Sequence, residues 1–298
     1  MNEPLPPAVT ARHRAEGPVD AEPHSAPRWW SEAAGSVADL GVFVPIAVAL
    51  IVANGLSPTA VLLPAGLLYL VVARVYRLPV AVQPLKAFGA IAIAAGLGVD
   101  VIAAGAILMG VIFLVLGVGN WLDKIGALFP VPVIRGVQLA VAVLFVKIAW
   151  GLVVDPQPVF TNQLNQPFLA VAALALFAAL VILRHRIVLV VVLVAFAVAL
   201  VAASAVTLGP SAIALPTLTL DAFVTAAFML VLPQLPLTFA NSCLAPADAA
   251  RKYFGDAAGA VTPSRLARTL GLANLVAGGV SGMPICHGAG GLSAHYAF

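Results

Sequence analysis

From residue 34 onward the chain alternates long apolar runs with short polar breaks. The runs fall at 34–53, 57–76, 80–97, 99–119, 129–150, 167–184, 187–207, 221–243, 265–281 and 284–297. An α-helix needs about 20 apolar residues to cross the hydrocarbon core of a bilayer, and most of these runs reach that length. The third and tenth are short and open with Pro and Gly. The pattern predicts an all-α integral membrane protein of about ten transmembrane or half-helical segments.

The breaks carry a second signal. Arg74 and Arg77 follow the second segment, Lys124 the fourth, and Arg184 and Arg186 the sixth; Arg251, Lys252, Arg265 and Arg268 bracket the loop after the eighth. The intervening loops, 54–58, 98–100, 151–166 and 208–220, contain no Lys or Arg. Basic residues mark cytoplasmic loops. Their alternation predicts a multi-pass plasma-membrane protein with a cytoplasmic N-terminus.

Composition agrees: 62% of the 298 residues are hydrophobic and 9% charged, against about 25% charged in soluble domains. The formal charge of +3 is spread along the chain, which excludes a nucleic-acid patch. Residues 1–33 lack an apolar run and read as a disordered cytoplasmic tail without a signal peptide. Arg28, Trp29 and Trp30 suit an interfacial anchor for the first helix. Cys243 and Cys286 sit in apolar or Gly-rich segments and suggest no disulfide framework.

Two stretches predict broken helices, Leu78-Pro79-Val80-Ala81-Val82-Gln83-Pro84 and Gly282-Met283-Pro284-Ile285-Cys286-His287-Gly288-Ala289-Gly290-Gly291. The first N–H groups of a helix have no internal acceptor, and with the dipole they favour an anion. Pro84 is expected at the first helical position, where its missing N–H costs nothing. The glycines of the second stretch admit a ligand close to the backbone. The alternative is a pair of packed proline kinks.

The two stretches also echo one another. Asp39 and Pro45 precede Gln83-Pro84 by about 44 residues, and Gln234, Pro236 and Asn241 precede Pro284 by about 50, the mark of an inverted repeat with a midplane site. The first repeat is expected over 34–220, with seven segments. The second begins at 221 and stops at 298 after three, so the chain is expected to be an incomplete transporter that does not transport alone.

Asp39 is a carboxylate inside an apolar helix, which calls for a cavity or a partner. It reads as a coupling-proton site or as the structural ion-pair partner of Lys86. Lys86 and Gln83 share a helix face, the lysine offsetting anion charge and the amides of Gln83 and Gln234 donating to oxygens. Asn241 reads as a helix–helix hydrogen bond or as a ligand. His287 reads as a titrating group or a cap. Arg135, with Gln138, and Lys147 read as snorkelling residues. Cys286 and His287 are adjacent and have no second pair at ligand spacing, so no metal site is expected. With no nucleophile–base pair or phosphate loop, neither an enzyme nor an ATP-driven pump is expected, and no cofactor.

These motifs resemble the molybdate transporters related to the SulP sulfate permeases. The resemblance rests on Gly35-Ser36-Val37-Ala38-Asp39-Leu40-Gly41 with Pro45, on Val82-Gln83-Pro84-Leu85-Lys86-Ala87, on Leu232-Pro233-Gln234-Leu235-Pro236-Leu237-Thr238 with Asn241-Ser242, and on 282–292. Pro132-Val133-Ile134-Arg135-Gly136-Val137-Gln138-Leu139 is a softer match. The resemblance implies two inverted seven-helix repeats forming a core and a gate, with substrate between the starts of the third and tenth helices. Carried over by position, its site is Gln83 and Lys86 facing Cys286, His287, Gly288 and Ala289, beside Asp39 and Gln234. Ala38 departs from the glycine common before the aspartate, and helices eleven to fourteen are absent. The implied function is secondary active transport of a tetrahedral oxyanion, molybdate first and proton-coupled as an open reading. Sulfate permease, passive anion channel and non-transporting scaffold are the alternatives. The expected partners are the oxyanion and the bilayer, with a homodimer admitted.

Overall fold

The computed structural model describes residues 35, 39–118, 121–122, 131–154 and 209–297. The tail, Trp29, Trp30, Ala38, Lys124, Arg184, Arg186 and the sixth and seventh apolar segments lie outside the described residues. Ten α-helices, two π turns, one 3-10 turn (Gly255–Ala260) and a two-stranded ribbon make up the described part. Helix α1 spans Leu40–Asn54, α2 Pro58–Tyr76, α3 Lys86–Ala94, α4 Val99–Val118 and α5 Val131–Val154. Helices α6 (Leu220–Ala226), α7 (Leu232–Thr238) and α8 (Ala245–Phe254) run on through the π turns, and α9 (Pro263–Gly279) and α10 (Ala289–Ala297) follow. Among the described residues, Pro58–Tyr76, Val99–Val118 and Leu220–Ala260 are long and apolar enough to cross a membrane.

Local chemistry sets most boundaries. Ser57 caps α2 by accepting from the Ala60 N–H, with Pro58 in the first turn. Helix α2 stops where Arg77 takes φ 54° and its N–H returns to the Ala73 carbonyl. Thr262 and Pro263 start α9 in the same way as Ser57 and Pro58 start α2.

The π turns, Ala227–Val231 and Phe239–Leu244, each end just before a proline. Leu232 N–H bonds to the Ala227 carbonyl and Ala245 N–H to that of Ala240, each five residues back. Pro233 and Pro246 would crowd the carbonyl four residues back in a regular helix, and the wider turn relieves this. The eighth segment therefore continues as helix to Phe254, beyond its expected end at 243, and Arg251 and Lys252 lie in the last turn of α8 rather than in a loop.

The surface pattern is inverted relative to a soluble protein. Leu62, Leu63, Leu67 and Leu70 on α2, Val111 and Val115 on α4, and Phe228 and Leu232 farther on are exposed. Asp39, Gln83, Gln234, Thr238, Asn274 and His287 are buried. Apolar side chains facing outward and polar ones inward suit a lipid solvent. Helices α4 and α9 pack closely through Gly110, Gly117, Gly271 and Gly278. A Cβ on Gly271 would lie 2.6 Å from the Leu114 nitrogen, and one on Gly278 2.8 Å from the Ala103 carbonyl oxygen.

Two expectations are corrected. Residues 80–84 are not helical: Gln83–Pro84 (β1) pairs antiparallel with Ile285–Cys286 (β2), Gln83 opposite Cys286 and Pro84 opposite Ile285. Pro84 is therefore in the ribbon, and α3 begins at Lys86 after Leu85, whose N–H donates to the Pro284 carbonyl. The tenth segment likewise starts its helix at Ala289 instead of 284. At each break the extended chain finds its partner in the other break, which a reading of one segment at a time does not reveal.

Candidate functional site

The ribbon sets the starts of α3 and α10 side by side. In α3 the Phe88 N–H is taken by Gln234 Oε1 at 2.8 Å, and Gln234 Nε2 donates to Thr238 Oγ1 at 2.8 Å. The N–H groups of Lys86 and Ala87, first in the helix, meet no acceptor among the described residues. In α10 the Gly291 and Leu292 N–H groups turn back to the Gly288 carbonyl, leaving those of Ala289 and Gly290 without one among the described residues. Two helix N-termini thus present backbone donors at one junction, an arrangement suited to an anion.

Side chains cross this junction in a chain of hydrogen bonds. Lys86 Nζ donates to Gln83 Oε1 at 2.7 Å, and Gln83 Nε2 donates to Asp39 Oδ1. Asp39 Oδ2 lies 2.9 Å from His295 Nε2 and 3.0 Å from the Tyr69 hydroxyl. The direct Asp39–Lys86 ion pair considered from the sequence is not formed: Gln83 stands between them, and His295 is the ionisable partner of the carboxylate. A Cβ on Gly288 would collide with Gln83 Oε1, and one on Gly291 with Asp39 Oδ1. The two glycines are the seat on which these side chains lie.

The remaining candidates separate by what they touch. His287 is fully buried, and both ring nitrogens are engaged, Nδ1 with the Ala81 carbonyl at 3.0 Å and Nε2 with Thr269 Oγ1 at 2.8 Å. A carbonyl only accepts, so Nδ1 carries the proton, and in the neutral ring Nε2 accepts from Thr269. Tyr76 completes the series with a 2.8 Å contact to Thr269. The imidazole therefore ties the second break to α9 and to the segment before β1. Cys286 Sγ faces the Pro84 carbonyl at 3.4 Å. Asn241 lies half-buried in the second π turn, and its side chain meets no hydrogen-bond partner among the described residues. Arg135 and Lys147 are exposed on α5, away from the junction's hydrogen bonds, Arg135 donating to Gln138 at 3.3 Å.

Besides Tyr69, three important side chains carried no sequence expectation. Asn274 of α9 is fully buried and treats Ile285 as a strand neighbour would: Oδ1 accepts the Ile285 N–H at 2.9 Å and Nδ2 donates to the Ile285 carbonyl at 2.7 Å. Asn54 Nδ2 donates to the Ala92 and Leu97 carbonyls, both at 2.9 Å, and so closes the far end of α3. His295 is the third. Each was visible as an isolated polar residue in an apolar segment, but its partner is distant in sequence.

Among the described residues, no group of three or more His, Cys, Asp or Glu side chains is placed to hold a metal. The fold and junction define an α-helical membrane protein with a buried polar centre between two broken helices. The family model described as "Molybdate transporter of MFS superfamily" matches residues 31–145 and 226–298, which include both breaks and Gln234. The chain belongs to this molybdate transporter family.

It is 27% identical to "Molybdate transporter 1" of Arabidopsis thaliana over 311 residues, covering 90% of this chain and 68% of that protein. "Molybdate transporter 2" of Arabidopsis thaliana is also 27% identical, over 90% of this chain and 67% of its own length. "Molybdate transporter 1" of Chlamydomonas reinhardtii is 37% identical over 157 residues, 50% of this chain and 30% of that protein. The chain thus spans about two thirds of the length of the Arabidopsis relatives.

Proposed function

We propose that the chain carries the substrate-holding part of a secondary active molybdate transporter. The observation that supports this best is the pair of α3 and α10 N-termini, joined by the ribbon and bridged by Lys86 and Gln83. A tetrahedral dianion offers oxygens to the N–H groups of Lys86, Ala87, Ala289 and Gly290 and charge to the Lys86 ammonium. Gln83 is the pivot: its carboxamide turns from Lys86 and Asp39 toward an oxygen when substrate arrives. Gln234 and His287 support the site as braces, the first fixing the start of α3 and the second the entry to α10. Cys286 and Gly288 contribute backbone, and Asn241 borders the site from the second π turn.

The finer architecture is part of the same proposal: two inverted seven-helix repeats, kinship with the SulP permeases, a cytoplasmic N-terminus and a plasma-membrane location. Each rests on the sequence motifs and the placement of Lys and Arg. Proton coupling through Asp39 rests on its burial at the centre of the hydrogen-bond chain. Molybdate is preferred over sulfate because the family and the three relatives carry that name.

The test is uptake of labelled molybdate by cells expressing the chain, with saturable binding to their isolated membranes as companion, each with and without excess sulfate. Saturable binding that sulfate displaces weakly is expected. Equal displacement by sulfate makes it a general sulfate-type site, and absence of saturable binding rejects the oxyanion reading. Uptake unaffected by collapse of the proton gradient favours a passive channel.

A further inference from the structure

We propose that Asp39 and His295 form one proton-binding dyad, and that its occupancy sets the charge seen by the oxyanion site; this rests on the oxyanion reading above. The geometry carries the inference. His295 Nδ1 lies 2.6 Å from the Gly35 carbonyl oxygen, which only accepts, so Nδ1 is a donor in either charge state. Nε2 faces Asp39 Oδ2 at 2.9 Å. One proton between these two atoms makes the contact a hydrogen bond, and it arrives on or leaves the pair as a unit. The carboxylate is 1% exposed and the imidazole 7%.

The neighbours are built to follow that proton. Tyr69 of α2 has one hydroxyl proton and two acceptors at 3.0 Å, Asp39 Oδ2 and the Val82 carbonyl. It donates to Asp39 while the carboxylate is charged, and to Val82 when Asp39 itself becomes the donor. On the other side Gln83 links Asp39 Oδ1 to Lys86 Nζ. The other titratable groups packed nearby are the Cys286 thiol of β2, turned to the Pro84 carbonyl, and Tyr253 of α8, whose hydroxyl meets Ser293. With the dyad proton, Asp39, His295 and Lys86 together carry one positive charge; without it they carry none. A dianion is drawn to the protonated state, so proton and oxyanion bind cooperatively. By linkage, the oxyanion raises proton affinity by the same factor. His295 is a positioning and proton-holding residue that acts through Asp39.

The test uses the full chain in lipid membranes, labelled at histidine nitrogen, with the His295 signal assigned by its loss in His295→Gln. Asp39→Asn removes the opposite charge that favours the imidazolium and is expected to move the His295 titration to lower pH. In the parent, which needs no variant for this effect, added molybdate is expected to move it to higher pH. Molybdate affinity in the parent should rise on acidification by up to about tenfold per pH unit, the limit for one linked proton, and His295→Gln should flatten that dependence. A His295 titration indifferent to Asp39→Asn, or a His295→Gln variant keeping the parental pH profile, overturns the dyad. If the parent binds no molybdate while Asp39→Asn still shifts His295, the oxyanion reading fails and the dyad stands.

Discussion

Asn274→Ala removes a side chain that stands in for a missing strand. Its amide satisfies both backbone groups of Ile285, with bonds of 2.9 and 2.7 Å, at a residue that is 1% exposed. A buried backbone group left without its partner costs about 1–3 kcal/mol. Two such groups make the expected loss about 2–6 kcal/mol before any cavity is counted. The third bond, to the Leu270 carbonyl one turn back in α9, adds little, since that oxygen has an intrahelical partner as well.

Thermal unfolding of the purified chain in detergent measures the loss, and a fall in Tm of roughly 5 °C or more is expected. Asn274→Asp is the internal control. It keeps an acceptor for the Ile285 N–H but, when ionised, opposes the Ile285 carbonyl with a second acceptor, so it should also destabilise. Binding of molybdate should weaken with stability, because β2 sets the start of α10 against β1. If Asn274→Ala melts with the parent and binds molybdate equally well, the ribbon is not held by this amide and the reasoning is refuted.

Two further outcomes follow from the packing. Gln234→Leu uncaps the Phe88 N–H and should cost about 1–3 kcal/mol in the same melting assay, with a fall in molybdate affinity; unchanged melting would show that α3 is fixed by other means. Gly271→Val pushes a side chain into the α4 backbone and should lower Tm or abolish recovery of folded protein, since overpacking costs about 1–3 kcal/mol or more; normal yield and melting would deny the close α4–α9 approach.

The sequence made the membrane class legible because lipid-facing helices leave a dense apolar record, and it made the two breaks legible because Pro and Gly cannot be read as ordinary helix. Gln83, Lys86 and residues 286–289 are brought together at the ribbon. Each broken helix starts several residues after its apolar run opens, at Lys86 and at Ala289. Pro84 suits a helical first turn locally, and only its pairing with Ile285 holds it extended. Asn54, Asn274, Tyr69 and His295 are silent in the sequence for the same reason. A lone polar residue in an apolar run shows that a partner exists, but not which one, when that partner lies on another helix. His295 is the strongest case. Its contact with Asp39 spans nearly the whole chain, and it replaces the closer Lys86 as the carboxylate's ionisable neighbour. The π turns were hidden because a proline in a helix predicts a kink or a break as readily as a widened turn.

The most direct measurement is equilibrium binding of labelled molybdate to membranes carrying the parent chain and to membranes carrying Lys86→Ala. The Lys86 ammonium lies at the junction of the two helix starts, and a charge there counts for more than in water because the surroundings are less polarisable. Saturable binding by the parent, weakened tenfold or more in Lys86→Ala (about 1.4 kcal/mol), is the predicted result. Equal binding by the two, with both folded and inserted, would contradict an oxyanion site between α3 and α10.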